Sequence, residues 1–169
     1  VAIHGCGGIG LSAVHIADAL GASVVAVDLF DNKLDFAMEL GARATVNASE
    51  VEDVPSEVRD ITDGGANVAV DALGIATTCQ NSVLSLDKLG QHVQIGLTTS
   101  DEAGEIPLPT DYIVRKEIEF IGSRGMQPAR YDEIFSMLEA GKIDPAQVIT
   151  ETVPLDRITD VLQSMTDYE

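Results

Sequence analysis

Gly5-Cys6-Gly7-Gly8-Ile9-Gly10 places glycines at the first, third, fourth and sixth positions of a six-residue run. It satisfies the pattern G-x-G-x-x-G, which carries chemistry only between a strand and a helix. That setting is present: Val1-Ala2-Ile3-His4 is apolar, and residues 8–20 show a helical stripe of Ile9, Ala13, Val14, Ile16, Ala17 and Leu20. Gly5 permits a tight turn out of the strand. Gly7 and Gly8 have no side chains to keep a pyrophosphate from the backbone, and Gly10 lets the helix lie close against the sheet. The helix N-terminus, at Gly8 and Ile9, offers free N–H groups and partial positive charge. Such a device matters in a chain whose formal charge is −18.

Asp28 follows 23 residues after Gly5 and 18 after Gly10, at the end of a β-branched run. A carboxylate there can accept hydrogen bonds from both ribose hydroxyls of an adenosine and repels a 2′-phosphate. Leu29 and Phe30 supply no arginine to hold such a phosphate, and Lys33 lies within reach of the same ribose. The expected ligand is NAD rather than NADP. The plainer readings are a loop or helix cap for Asp28 and a solvated lysine for Lys33.

Nothing else in the chain has the spacing of a reactive centre. His4, His15 and His92 are scattered singly, and Cys6 and Cys79 are too far apart for a zinc ribbon. Structural positions are expected for all five. Asn47-Ala48-Ser49 matches a glycosylation sequon and is read as chance.

The elements that must hold these residues alternate in period. Strands are expected at 1–4, 23–27, 44–46, 66–70, 91–95, 118–121 and 148–153. Helices are expected at 8–20, 31–40 (capped by Asp31), 50–62, 77–86, 113–116, 129–139 and 155–165. Glycines close several of them, and residues 98–109 form a polar, proline-containing loop or edge segment. Regular alternation with short connections predicts a parallel sheet with helices on both faces and right-handed crossovers. This is an α/β, Rossmann-type, doubly wound fold. Residues 1–150 are expected to form the nucleotide-binding unit, and 151–169 to lead back toward a further domain. The absence of an initial Met suggests a piece of a longer protein.

Composition narrows the partners. The 169 residues are 45% hydrophobic and carry 28 acidic against 10 basic side chains. The charge is even: −9 over 1–85 (12 acidic, 3 basic) and −9 over 86–169 (16 acidic, 7 basic). An acidic surface all round excludes nucleic acid and anionic membrane as partners, since both need clustered Lys and Arg. No apolar stretch approaches the roughly 20 residues of a membrane span. A lysine-poor surface of this kind suits concentrated salt, where self-repulsion is screened; an ordinary acidic cytoplasmic protein is the alternative.

The segments VAIHGCGGIG and VVAVDLFDNKLDFAMELGA, followed in order by VAVDALG, HVQIGLTT and FIGSRG, resemble the coenzyme domain of zinc-dependent alcohol dehydrogenases, the medium-chain dehydrogenase/reductase family, over nearly the whole chain. The resemblance implies that backbone groups of Ile95, Gly96 and Leu97 face a nicotinamide. It implies that Ile121, with Gly122 and Ser123, does similar work, and that Ala72 and Leu73 pass the adenosine. Packing accounts equally well for the apolar side chains among them. It further implies hydride transfer between NAD and an alcohol or aldehyde bound to zinc. The zinc lies in a separate catalytic domain, so no residue of this chain is nominated as acid, base or metal ligand. A homodimer is implied through the segment Glu105-Ile106-Pro107-Leu108-Pro109, and an ordinary surface loop is the plainer reading there. Two alternatives stand beside this one: a non-catalytic nucleotide-binding module, and a zinc-free quinone reductase of the same family. The second prefers NADPH and lacks the acid, so Asp28 weighs against it.

Overall fold

The computed structural model describes residues 1–164; Met165, the expected end of the last helix, lies outside them. Six parallel strands form one sheet in the order β3-β2-β1-β4-β5-β6. They are β1 (Ala2–His4), β2 (Val25–Asp28), β3 (Ala44–Asn47), β4 (Ala66–Asp71), β5 (Leu86–Gln94) and β6 (Glu119–Gly122). Helices α1 (Gly8–Ala19), α2 (Asp31–Glu39), α3 (Val54–Ile61), α4 (Ala76–Leu84) and α5 (Thr110–Lys116) connect them, and α6 (Tyr131–Glu139) and α7 (Ile158–Ser164) follow. The order reverses direction between β1 and β4, and open α/β sheets bind ligands outside the carboxyl ends of their strands at such a switch. The expected fold class is therefore the observed one.

Strand alternation divides the core. Ile3, Val14, Val24, Ala26, Leu34 and Val70 pack on one face, under α1 and α2. Ala2, Val25, Val27, Val58, Val83 and Leu86 pack on the other, under α3 and α4. Both faces being covered explains why the strands read as continuous apolar runs rather than alternating ones.

Local chemistry moves several boundaries. Helix α3 begins at Val54 rather than residue 50, because the Asp53 carboxylate accepts the Ser56 N–H at 3.0 Å. Pro55 fits that first turn, where its missing N–H costs nothing. Asp31 is inside α2, not its cap. The N-cap is Phe30, which makes no side-chain capping bond, and Asp31 Oδ1 instead accepts from Asn47 Nδ2 at 2.6 Å. Residue 86, expected to end a helix, starts β5, where Leu86 pairs with Ala66 and the register shifts before Gln91 meets Val68. Leu89 at φ 61° marks the irregularity.

One expected strand is absent. Residues 145–148 form a 3-10 turn (Pro145–Val148) begun by the Asp144 carboxylate, and residues 149–154 join no ladder. The Asp144 N–H donates to His15 Nε2 on α1 at 3.0 Å, and Val148 packs against the core on the α1 side. The segment therefore lies over a helix face, out of reach of a strand edge. Residues 105–109 also join no strand, and the Pro107 carbonyl is held by Gln80 Nε2 at 2.8 Å. The sheet edge on that side is β6, whose four residues are all exposed.

Candidate functional site

Register places one row of residues across the sheet at its carboxyl end: Val27, His4, Asp71, Gln94 and Gly122 are successive neighbours. Most of the expected contact residues lie just beyond this row. Gly5 to Gly10 continue β1, Ala72 and Leu73 continue β4, and Ile95, Gly96 and Leu97 continue β5. Asp28 is the last residue of β2, and Ile121 stands next to the end of β6. The thirteen sequence candidates thus share one rim, with Lys33 just behind it in the first turn of α2.

The glycines divide by what surrounds them. Gly5 has φ +91° and donates its N–H to the Val27 carbonyl at 2.8 Å. A methyl group on Gly10 would stand 1.8 Å from the Gly5 carbonyl oxygen, so α1 crosses the loop in contact with it. Those two glycines are required by the fold. Gly7, with φ −80° and ψ −168°, and Gly8 are different, because a methyl group on either would meet no protein atom within 4 Å. The N-terminus of α1 has no side-chain cap and no acid in its first turn, and its first backbone bond runs from Leu11 N–H to the Gly7 carbonyl at 2.8 Å.

Asp28 Oδ2 accepts the Cys6 N–H at 2.7 Å, and Oδ1 accepts Leu29 N–H at 2.8 Å and Phe30 N–H at 3.2 Å. The carboxylate therefore does act as a loop cap. It also ties the glycine loop to β2. A carboxylate offers about four acceptor positions, so one remains open, on Oδ2, for an incoming donor. Lys33 Nζ lies 4.4 Å from the centre of the Phe30 ring, a cation–π contact that steadies it at this rim.

The β4–α4 turn closes against both neighbours. Leu73 Cβ lies 3.3 Å from the position of a methyl on Gly5. Gly74, at φ +98°, would bring a methyl to 2.1 Å from the Leu97 carbonyl oxygen. Ile9, Leu73, Leu97 and Ile121 are exposed along the rim, while Ile95 packs partly against the core. A cavity of about 490 Å³ lies beyond β6, bounded by Gly122, Ser123, Arg124 and Arg130. Another, of about 520 Å³, opens at the amino end of the sheet near Val1, Arg43 and Asp63, and includes none of the candidates.

The sequence reading missed a polar chain beneath the rim. Asp71 is fully buried; its Oδ1 accepts from Leu73 N, Gly74 N and Thr78 Oγ1, and its Oδ2 from Gln94 Nε2 at 2.8 Å. His92 links Gln94 Oε1 at 3.0 Å to Ser82 Oγ at 2.9 Å. The available signal was polar residues at core-facing positions of buried strands: His4, Asp71, His92 and Gln94 sit on the α4 face where neighbours are apolar.

His4 is buried and its Nε2 has no partner among the described residues. Burial pushes its imidazole from 6.5 down to about 4; the Asp71 charge opposes the shift and His92 adds to it. Burial also lowers His92, against its Gln94 bond and the Asp71 charge. Below pH 6.5 the unfolded chain takes up protons that the folded chain refuses, so stability falls as the pH drops from 6.5 toward 4. His4 alone contributes a loss of about 3 kcal/mol over that window. Urea unfolding at pH 7.5 and 4.5 should show this fall, and His4→Leu should make it smaller. An unchanged pH dependence in that variant would contradict the assignment.

Cys6 points into the core with Sγ 3.7 Å from the Val27 carbonyl, and burial followed by the Asp28 charge pushes its thiol up to about 12. Cys79 is also buried, its thiol raised to about 11 chiefly by burial. Neither is poised to ionise. Among the described residues no three His, Cys, Asp or Glu side chains are grouped to hold a metal ion, and no helix is long and apolar enough to cross a membrane.

Comparison with known proteins bears on the family and the fold. Residues 8–140 match the family model described as zinc-binding dehydrogenase. An NAD-dependent alcohol dehydrogenase of Sulfurisphaera tokodaii is 33% identical over 171 residues, spanning 100% of this chain and 47% of that protein. A D-arabitol-phosphate dehydrogenase of Enterococcus avium is 34% identical over 158 residues, 92% of this chain and 44% of that one. Among solved structures, the alcohol dehydrogenase of Aeropyrum pernix superposes with TM-score 0.83 at 30% identity, covering 99% of this chain and 46% of that one. The 2R,3R-butanediol dehydrogenase of Bacillus subtilis gives 0.84 at 27% identity, covering 93% and 44%. The chain thus spans about half the length of the relatives it matches.

Proposed function

The chain belongs to the zinc-binding dehydrogenase family, and from that premise we propose that it is the NAD(H)-binding part of an NAD-dependent alcohol or polyol dehydrogenase. The observation that carries the reading is Gly7, the loop residue whose missing side chain leaves open space toward solvent and serves no contact in the fold. A diphosphate brought to the backbone there accounts for the glycine. Charge supports it. No Asp or Glu occurs in residues 1–17, 72–86, 88–100 or 120–131, which together supply nearly all of the rim. In an otherwise acidic chain this keeps the rim open to an anion. The two acids at its border, Asp28 and Asp71, are occupied by N–H donors.

Bound there, the dinucleotide supplies a hydride acceptor or donor. The chain's own residues bind and orient it. The N-terminus of α1 receives the diphosphate. Asp28 Oδ2 accepts one ribose hydroxyl, and Lys33 lies beside it. Ala72 and Leu73 flank the adenosine, and the backbone at Ile95, Gly96, Leu97 and Ile121 faces the nicotinamide. The same reading puts zinc in a separate catalytic domain and assigns it no residue of this chain; Cys6 and Cys79 are buried as neutral thiols. An alcohol or polyol substrate, residues 151–169 leading toward a catalytic domain, and a cytoplasmic location go with the same reading. So does pairing with a second copy at the sheet edge near residues 105–109, which sedimentation would read as a dimer mass.

The test is titration of the chain with NADH and NADPH, followed by nicotinamide fluorescence. NADH should bind with a preference of about 100-fold, the worth of a lost charged hydrogen bond and a repelled phosphate. Asp28→Asn should cut that preference at least about tenfold by removing the negative charge. Equal affinity for the two dinucleotides in the parent chain would end the assignment of Asp28. This ratio is the useful readout, because any change at Asp28 also releases backbone donors of the loop.

A further inference from the structure

The donor inventory of Gln94 fixes the direction of every bond in the buried chain. Its Nε2 group donates to Asp71 Oδ2 and to the Gly96 carbonyl, each at 2.8 Å. Both partners are acceptors, so the amide cannot be turned round. Its Oε1 is then left to accept, and the atom facing it at 3.0 Å is His92 Nε2. His92 must carry its proton on Nε2, which leaves Nδ1 as an acceptor for the Ser82 hydroxyl at 2.9 Å. The path therefore runs in one sense, Ser82 to His92 to Gln94 to Asp71.

At its end, Asp71 Oδ1 holds Leu73 N–H and Gly74 N–H at 3.0 Å each and the Thr78 hydroxyl at 2.9 Å. Gln94 meanwhile grips the Gly96 carbonyl. One polar unit, buried at Asp71, Ser82 and His92 and half-buried at Gln94, thus sets both walls of the crevice: the Ala72-Leu73-Gly74 turn against Gly5, and the Gly96-Leu97 turn against Gly74.

We propose that Asp71 and Gln94 are positioning residues for the dinucleotide, locking the β4 and β5 turns at the separation the ligand needs, with His92 and Ser82 holding Gln94 in the required orientation. The inference rests on the reading given above and adds residues that touch no ligand. Asp71→Asn keeps the acceptor for Leu73, Gly74 and Thr78 and spoils only the link to Gln94. The Gly96 carbonyl still holds the Gln94 amide in place, so Nε2 then faces the new amide nitrogen, donor against donor, and His92 keeps its proton on Nε2.

Three variants of the full chain test this: Asp71→Asn, Gln94→Glu and the two combined. In the parent and in Asp71→Asn alike, ¹⁵N spectra of the imidazole should show His92 neutral with the proton on Nε2, the tautomer that the Gly96 bond of Gln94 imposes. NADH affinity should fall roughly tenfold in Asp71→Asn, and at least as far in Gln94→Glu, where two carboxylates meet. The combined variant restores a donor–acceptor link to position 71 but leaves the Gly96 carbonyl without its donor, so it should bind NADH more tightly than Gln94→Glu and more weakly than the parent. A His92 proton on Nδ1 in the parent, or NADH affinity within twofold of the parent in both single variants, would overturn the proposal. A parent chain that fails to bind NADH would instead overturn the cofactor reading, and the tautomer measurement would still decide whether the relay exists.

Discussion

Gly10→Ala should lower the thermal midpoint by roughly 10 °C, the shift expected for about 3 kcal/mol lost in a chain of this size. The added methyl would stand 1.8 Å from the Gly5 carbonyl oxygen and 3.6 Å from Ala72 Cβ. The first contact is with backbone, so no side-chain rotation relieves it. Helix α1 must lift from the loop by more than an ångström, or the loop must leave β1. Either movement loosens contacts of Leu11 and Val14 with the core. Alanine's better helix propensity returns only about 1 kcal/mol, so the clash decides the sign. A midpoint within 2 °C of the parent would show that α1 does not lie on the loop as described.

Gly7→Ala should do the reverse, leaving the fold standing and removing the ligand. The backbone at Gly7 is in a region open to any residue, and its methyl would meet nothing within 4 Å. Replacing an N-cap glycine by alanine costs about 1 kcal/mol or less, a loss of a few degrees. The same methyl stands where a diphosphate would approach the loop, and affinity for NADH should fall at least about 100-fold, or nearly 3 kcal/mol. Thermal scans and NADH titration of the two variants side by side separate the glycine needed for folding from the glycine needed for binding. Parent-like NADH affinity in Gly7→Ala would remove the main support for the site.

The parts of this fold that were readable in advance are those governed by short-range rules. Gly5 and Gly10 announce a strand–turn–helix because turn sterics act within six residues. The β-branched run ending in Asp28 announces a buried strand because both sheet faces are covered. The unreadable parts depend on partners distant in the chain. Residues 148–153 have the composition of a strand, but a strand exists only where another offers a ladder, and here Val148 packs on the α1 side while 149–153 join no strand. Leu86 belongs to β5 because Ala66 is opposite it, which no local period reports.

The same distinction applies to the site. The glycines, Asp28 and Lys33 follow from spacing, whereas Ala72, Leu73, Ile95, Gly96, Leu97 and Ile121 follow from the family resemblance, spacing alone making them only strand ends. The Asp71–Gln94 bond joins residues 23 apart, and exists because β4 and β5 pair with these two side by side. Asp28 shows a mixed case. Its candidacy as a ribose acceptor could be inferred from spacing, whereas its grip on the Cys6 N–H, which leaves room for one further donor rather than two, needed the folded geometry.

The most direct measurement is the pattern of backbone amide shifts when NADH is added to the chain. Saturable changes should centre on Cys6 to Gly10, Asp28 and Leu29, Ala72 and Leu73, and Ile95 to Leu97, all on the carboxyl rim. Changes confined to Ser23, Arg43 and residues 61–65, around the cavity at the amino end of the sheet, would contradict the account.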